Sequence, residues 1–255
     1  MINNLKIKMQ AGEKVLGTFL ELGGELAVEC LAYTGLDFFI IDQEHGPFDI
    51  SETVGFLRAA EGSNITPLVR VKDISRPSIL KNLDIGAKGL IVPNVESLEQ
   101  VENLIEWAKY SPLGKRGYFM ARPSGYGNKE YAKDMNNYFK VSNEETLLIP
   151  QCETLGALNN IEEIVALDGV DGIFIGPFDL SIAMGIPAQF GEIQFQLALE
   201  RVLKACKDHN KFCFIFTTDQ KTGQKYFNSG FDALAVGTDA SCYIKAFKDL
   251  VKSFD

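Results

Sequence analysis

Short runs of β-branched and aromatic residues alternate along this chain with longer stretches in which apolar residues recur every three or four positions. The first pattern reads as strand and the second as amphipathic helix, because side chains alternate between faces along a strand but return to one face every turn of a helix. Eight segments carry the strand pattern: VLGTFLE from Val15, DFFIIDQE from Asp37, TPLVRV from Thr66, GLIVP from Gly89, TLLIPQCE from Thr146, GIFIGPFD from Gly172, FCFIFTT from Phe212 and ALAVGTD from Ala233. Between and after them lie helical stretches such as SETVGFLRAAEG, SRPSILKNLDIG, SLEQVENLIEWAKY, EIQFQLALERVLKACKDHN and DASCYIKAFKDLVKSF, several opened by a Ser or Asp cap and closed by Gly or Asn. Eight strand-then-helix units in 255 residues have the size and rhythm of a (β/α)8 barrel, an α/β fold whose strands are buried on both faces and so read as continuous apolar runs. The competing architecture is an open doubly wound sheet. It would call for a glycine-rich nucleotide loop after an early strand, and neither GxGxxG nor GxxxxGK[ST] occurs. The expectation is a TIM barrel forming a single domain over residues 1–255. One segment breaks the rhythm: SPLGKRGYFMARPSGYGNKEYAKDMNNYFKVSNEE, between the fourth helix and the fifth strand, is oversized for a connection and reads as a candidate lid or substrate wall.

Composition adds bounds on partners. A hydrophobic fraction of 46% and a charged fraction of 23% are ordinary for a folded globular chain. The net charge of -9 repels phosphate backbones, which argues against nucleic acid and anionic membranes as partners, so any anionic substrate must meet a local cluster of positive charge. The N-terminal MINNLKIKMQAGEKVLG interleaves polar and apolar residues and offers no signal-peptide core, and no apolar run is long enough to cross a bilayer. The five cysteines are odd in number, scattered and without a CxxC pair, so neither a disulfide framework nor a zinc knuckle is expected. The picture is of a reduced, cytoplasmic protein.

Barrel active sites collect polar residues at the C-terminal ends of strands. Strand two ends in Asp42, Glu44 and His45, strand three in Arg70, strand five in Gln151 and Glu153, and strand six in Asp179. Glu153 and Asp179 would stand on neighbouring strands, where two carboxylates repel unless a divalent cation or a shared proton compensates. Oxygen ligands without a Cys or His cluster favour Mg²⁺ or Mn²⁺. The structural alternative is that one or both pair with Arg70 or cap a helix. Arg70, set among apolar residues in PLVRV, needs an anion in either case: a protein carboxylate such as Asp42 or Glu153, or a substrate oxygen. His45 is a candidate for acid/base work with Asp42 close enough in sequence to fix its tautomer, against the plainer reading of a loop histidine bonded locally. His209 reads as a solvated helix end, and Asp168 and Asp171 of LDGVDG as residues of the face that serves stability.

The segments IDQEHGPFD, PLVRV, LDIGAKGLIVPNV, RGYFMARPSGYG, QCET, DGVDGIFIGPFDLSIAMG and ALAVGTD, in this order, resemble the HpcH/HpaI aldolase family of class II pyruvate aldolases over most of the chain. The DGIFIGPFDLS and IDQEH blocks together are the specific part of that likeness. It implies a barrel of the phosphoenolpyruvate/pyruvate-binding type, in a homo-hexamer of two trimers with the C-terminal helix exchanged between neighbouring subunits. The implied reaction is reversible cleavage of a 4-hydroxy-2-oxo acid to pyruvate and an aldehyde through a metal-stabilised pyruvate enolate. By motif match, Glu153 and Asp179 would hold a divalent cation (Mg²⁺, Mn²⁺ or Co²⁺) that chelates the carboxylate and keto oxygens of the pyruvyl unit. Arg70 would bond the same keto oxygen, and His45, oriented by Asp42, would shuttle the 4-hydroxyl proton. Gln151, Gly176 and Pro177 would line the pyruvyl pocket, and Asp84 would approach the site from an adjacent subunit. Gln43 and Phe48, and Pro123 and Tyr126, stand where family members vary and where the aldehyde end is expected, which leaves the acceptor open. Two other functions compete. An acyl-CoA lyase of the citrate or malyl-CoA type would want a basic patch, for which Lys115, Arg116 and Arg122 are modest candidates. A non-catalytic metal-binding scaffold would have no use for Asp42, His45, Arg70, Glu153 and Asp179 together.

Overall fold

The computed structural model describes residues 2–254. Helix α1 (Asn4–Gln10) precedes strand β1 (Val15–Leu20), and from there each strand is followed by helix. The first half runs α2 (Glu25–Ala32), β2 (Phe38–Asp42), α3 (Ile50–Glu61), β3 (Thr66–Arg70), α4 (Arg76–Ile85), β4 (Gly89–Val92) and α5 (Leu98–Ala108). After a long segment containing α6 (Met135–Glu145) come β5 (Leu147–Cys152), α7 (Leu155–Asn159), α8 (Ile161–Ala166), β6 (Gly172–Ile175) and α9 (Pro177–Ala183). The chain closes with α10 (Ile193–Asp208), β7 (Phe212–Thr217), α11 (Gln220–Ser229), β8 (Ala233–Thr238) and α12 (Asp239–Lys252). The eight strands pair in sequence order, all parallel, and β8 returns to β1 to close the barrel.

Two apolar layers hold this architecture. Inside the barrel, Phe19, Phe38, Ile40, Leu68, Phe174 and Phe214 fill the lumen, and Leu5 and Met9 of α1 cork its N-terminal end. Outside, the opposite faces of the same strands pack on the helices through residues such as Ile41, Val69, Val92, Ile175 and Val202. Both faces are dry, which is why β2, β4, β5 and β6 are buried at every position and lack polar alternation. Local signals end the helices where the pattern predicts: Asp49 caps α3 in a reciprocal box with Glu52, Ser75 and Ser97 cap α4 and α5, and Gly86 and Gly230 take left-handed conformations after α4 and α11.

The N-terminal end of the barrel carries a buried ion cluster. Lys109, only 2% exposed in its side chain, donates to Asp171 Oδ2 at 2.7 Å and to the Thr146 carbonyl at 2.7 Å. Asp171 also accepts from Lys6 Nζ at 2.8 Å and from the Leu148 backbone N–H at 2.9 Å. Burial alone would raise the Asp171 carboxyl, but the charges of Lys109 and Lys6 hold it below the usual range. Asp171 thus serves the stability face, as its sequence context predicts.

The oversized segment 111–145 differs from expectation in its place. A helix-to-strand connection leaves from the end of the barrel opposite the strands' C-terminal tips, and this one stays there. Arg122 reaches the last carbonyl of α4, Ile85 O, at 2.8 Å and Glu61 at the end of α3 at 2.6 Å. Tyr118, Tyr131, Tyr138 and Phe139 of the segment form an aromatic cluster with Tyr110 just before it. Within its own subunit the segment is therefore neither lid nor wall of the mouth. At the other extreme, α12 buries no residue and exposes Tyr243, Ile244, Phe247, Leu250 and Val251. No helix among the described residues is long and apolar enough to cross a membrane.

Candidate active site

Parallel pairing of β2 and β3 places Asp42 and Arg70 as register partners at the C-terminal ends of their strands. The Arg70 guanidinium donates from Nε to Asp42 Oδ1 at 2.9 Å and from Nη2 to Oδ2 at 2.5 Å, a bidentate contact. It also lies 4.7 Å from the centroid of the Phe19 ring. Burial works against the guanidinium's charge, and Asp42, Glu44 and Glu153 more than offset it. The anion that a buried arginine requires is therefore Asp42. Asp42 Oδ1 accepts in addition from the backbone N–H groups of Glu44 at 3.1 Å and His45 at 3.3 Å. The His45 ring is exposed at the rim, and Asp42 holds the histidine's backbone where the sequence predicted a grip on its ring. A buried guanidinium has the stronger claim on that carboxylate.

Strand β5 delivers Gln151 and, one residue past its end, Glu153, which is 5% exposed. Glu153 Oε1 accepts from the Asn94 backbone N–H at 2.7 Å, and Oε2 accepts from Gln151 Nε2. Burial pushes the Glu153 carboxyl up, with the nearby charges of Glu44 and Asp179 adding and the hydrogen bonds from Asn94 and Gln151 opposing. Gly176 follows β6 and passes so close that a Cβ there would stand 2.8 Å from Glu153 Oε2 and 2.9 Å from Gln151 Nε2. A side chain there would push both groups from their places. Pro177 opens α9 with its fixed φ, and Asp179 stands exposed in that helix's first turn.

These residues meet at a cavity of about 150 Å³ over the C-terminal ends of the strands. Arg70, Gln151, Gly176, Pro177 and Asp179 line it, and the aromatic rings of Phe19, Phe174, Phe178 and Phe216 wall it. Asp42 stands behind Arg70 and Glu153 against Gln151 and Gly176, so neither is part of the lining itself. Asp84 is not brought here: it lies near the far end of α4, bonded to Arg116 Nη2 at 2.7 Å. The three basic residues considered for a nucleotide patch are each matched to a carboxylate, Lys115 to Glu106, Arg116 to Asp84 and Arg122 to Glu61. His209 is an exposed helix end.

Sequence reasoning left several members of this site without a role. Glu44 is half-buried: Oε1 accepts from Asn94 Nδ2 at 2.9 Å, while Oε2 is buried without a hydrogen bond although Arg70 Nη1 lies 3.4 Å away. Burial raises its carboxyl, against the charges of Arg70 and His45. Asn94 follows β4, and the strand-end rule applied to that strand would have found it. Phe19, Phe178 and Phe216 carry no such signal, since an aromatic at a strand end looks like core.

The site offers oxygen donors of the kind a hard divalent cation takes. The charges of Glu44 and Asp179 lie close enough to raise the Glu153 carboxyl, and Gln151 Oε1 and Glu44 Oε2 are buried polar atoms without hydrogen-bond partners. No group of three or more His, Cys, Asp or Glu among the described residues is arranged to hold a metal ion. Two carboxylates could hold a hard, oxygen-seeking cation while leaving coordination positions for substrate and water.

Comparison with known proteins places these observations. A family model described as HpcH/HpaI aldolase/citrate lyase matches residues 16–246. A hydroxypyruvate/pyruvate aldolase of Pseudomonas aeruginosa is 32% identical over 99% of this chain and 93% of its own. A 5-keto-4-deoxy-D-glucarate aldolase of Enterobacter sp. (strain 638) is 32% identical over 99% of this chain and 96% of its own. Among solved structures, an HpcH/HpaI aldolase/citrate lyase family protein from Burkholderia cenocepacia J2315 superposes with a TM-score of 0.90 at 28% identity, covering 99% of both chains.

Proposed function

The chain belongs to the HpcH/HpaI aldolase/citrate lyase family and is a carbon–carbon lyase, and on that premise we propose that it is a divalent-metal-dependent pyruvate aldolase, reversibly cleaving a 4-hydroxy-2-oxo acid to pyruvate and an aldehyde. The observation that carries this reading is the convergence of Arg70, Gln151, Gly176 and Asp179 on one cavity, with Glu153 set against Gln151 and Gly176. Relatives named for hydroxypyruvate, pyruvate and a keto-deoxy sugar acid point to a 2-oxo acid as the unit bound there.

Glu153 and Asp179 would hold the cation, Mg²⁺, Mn²⁺ or Co²⁺, which supplies Lewis-acid stabilisation of the charge that develops on the keto oxygen. Arg70, locked by Asp42 on one edge, presents the rest of its guanidinium to the same oxygen and stabilises the enolate by hydrogen bonding. Because Asp42 fixes the guanidinium before substrate arrives, that stabilisation needs no reorganisation. Gly176 and Pro177 give the pyruvyl unit a close backbone wall, and the surrounding phenylalanines keep water from it. His45 at the rim takes the proton of the 4-hydroxyl in cleavage and returns it in synthesis.

The assembly we propose is a homo-oligomer, a hexamer built as a dimer of trimers, in which α12 lies on a neighbouring copy and Asp84 serves a neighbour's site. The exposed apolar face of α12 and the distance of Asp84 from its own cavity along α4 support it. The five cysteines are all free, in keeping with a reducing cytoplasm. The acyl-CoA reading draws no support from Lys115, Arg116 and Arg122, each already paired.

The test is proton NMR of pyruvate in D₂O with the purified protein. Loss of the methyl signal that requires Mg²⁺ and stops with EDTA is the expected result. No exchange with Mg²⁺, Mn²⁺ or Co²⁺ would overturn the pyruvate assignment.

A further inference from the structure

Asn94 is the point at which two of the site's carboxylates are tied together. Its backbone N–H donates to Glu153 Oε1 at 2.7 Å, and its side-chain Nδ2 donates to Glu44 Oε1 at 2.9 Å. The two acceptors come from strands that do not neighbour each other, since Glu44 follows β2 and Glu153 follows β5. Asn94 follows β4 between them and adopts φ 55°, in the left-handed region. Asparagine is among the few residues other than glycine that enter this region readily. Val95 beside it is fully buried, and the Val95 carbonyl accepts from Thr154 Oγ1, so the turn that carries Asn94 is fixed on its far side as well.

We propose that Asn94 is a positioning residue for the metal-binding carboxylate Glu153 and its neighbour Glu44, its left-handed turn aiming one donor at each so that the two acids hold a set spacing. This rests on the reading of Glu153 as a metal ligand. The backbone donor occupies Oε1 of Glu153 and Gln151 Nε2 contacts Oε2, which together fix the plane of the carboxylate. The side-chain donor fixes Oε1 of Glu44 and leaves Oε2, which has no hydrogen bond, facing Arg70 Nη1 at 3.4 Å. Partners that orient a ligand in this way commonly change metal affinity about 10–100-fold when removed.

Two variants separate the two donors. Asn94→Gly keeps the left-handed turn and the bond to Glu153 but deletes the amide that holds Glu44. Asn94→Val resists φ above zero and disturbs both. Mn²⁺ affinity is measured by electron paramagnetic resonance on the metal-free protein, alongside its thermal midpoint and the kcat and KM for the Mn²⁺-supported reaction. The expected order of affinity is wild type, then Asn94→Gly about 3–10-fold weaker, then Asn94→Val about 10–100-fold weaker, with the thermal midpoint of the glycine variant held within a few degrees. A purely structural role would lower the midpoint and leave the Mn²⁺ affinity of the folded fraction unchanged. Wild-type affinity in Asn94→Gly and in whatever fraction of Asn94→Val folds would overturn the inference. Absence of Mn²⁺ binding by the wild-type protein would instead overturn the metal reading on which it rests.

Discussion

Asp42 and Arg70 stand opposite each other in register on adjacent parallel strands, and both carboxylate oxygens of the one are bound by the guanidinium of the other. Asp42 is fully buried and Arg70 opens onto the cavity, so the pair is anchored on its inner side and available on its outer side. Arg70→Lys keeps the charge but loses the fork that Asp42 grips. The expected result is a fall of about 10²–10³-fold in methyl-proton exchange of pyruvate, with the larger share in kcat, because the lost contact is one that strengthens as the enolate forms. Retention of full exchange by Arg70→Lys would remove the arginine from the chemistry.

Glu153→Gln and Asp179→Asn should abolish metal-supported turnover, while the fold, followed by circular dichroism, survives. For Glu153 the reason is specific: burial disfavours its charge, and the amide carries none. Calorimetric titration with Mg²⁺ or Mn²⁺ checks both variants.

The Glu153 carboxyl is raised above its ordinary range, which gives a sign to the pH dependence of the metal-free protein. A raised acid is protonated in the folded chain at a pH where the unfolded chain has already lost the proton. Its contribution to stability is present below the ordinary glutamate range and is lost as pH rises through the raised value. Glu44, raised by the same cause, acts in the same direction. A bound cation favours the ionised forms and reverses the trend. Thermal midpoints measured with EDTA and with Mg²⁺ should therefore diverge as pH increases, and parallel curves would count against a cation at these carboxylates.

His45 is exposed and makes its bond to Asp42 through the backbone alone, so removing its ring should disturb little else. His45→Ala is expected to slow aldol cleavage about 10²–10⁴-fold and to leave methyl exchange of pyruvate largely intact. Comparing the two assays on one preparation separates proton transfer at the 4-hydroxyl from enolisation.

At the other end of the barrel, Asp171→Asn would leave Lys109 buried with its charge uncompensated. The expected loss is about 3–5 kcal/mol of stability, read from denaturant unfolding in the presence of metal. Because Lys109 and Lys6 hold the Asp171 carboxyl down, this contribution is present above the ordinary aspartate range and fades as pH falls through the lowered value.

The strand pattern of the barrel was plain in the chain because strands buried on both faces carry no polar alternation to confuse their limits; FFII and LLIP could be little else. The strand-end rule pointed to Arg70, Gln151 and Asp179, which line the cavity, and to Glu153 behind them, for the same reason, since a charge or amide there breaks an apolar run. What escaped it depends on pairing across strands. That Asp42 would bind Arg70 and not the ring of His45 follows from register, which no single segment contains. Asn94 acts through a backbone N–H whose direction is set by φ, invisible in the residue's identity. The place of segment 111–145 was available from topology alone, because it lies between a helix and a strand; its length suggested a lid, and its connectivity overrules that.

A helix as short as α12 is marginal in water by itself, and this one has no buried side chain to hold it; its capping box at Thr238, the bonds of Asp239 to the Glu21 and Leu22 backbone N–H groups and a seam with β1 and β8 tie down its start. Its amide protons should exchange with solvent in a dilute lone subunit long before those of β2 or β5, which are sealed on both faces. Protection of α12 that grows with protein concentration would make the last helix a built-in reporter of association, legible by mass spectrometry without any substrate.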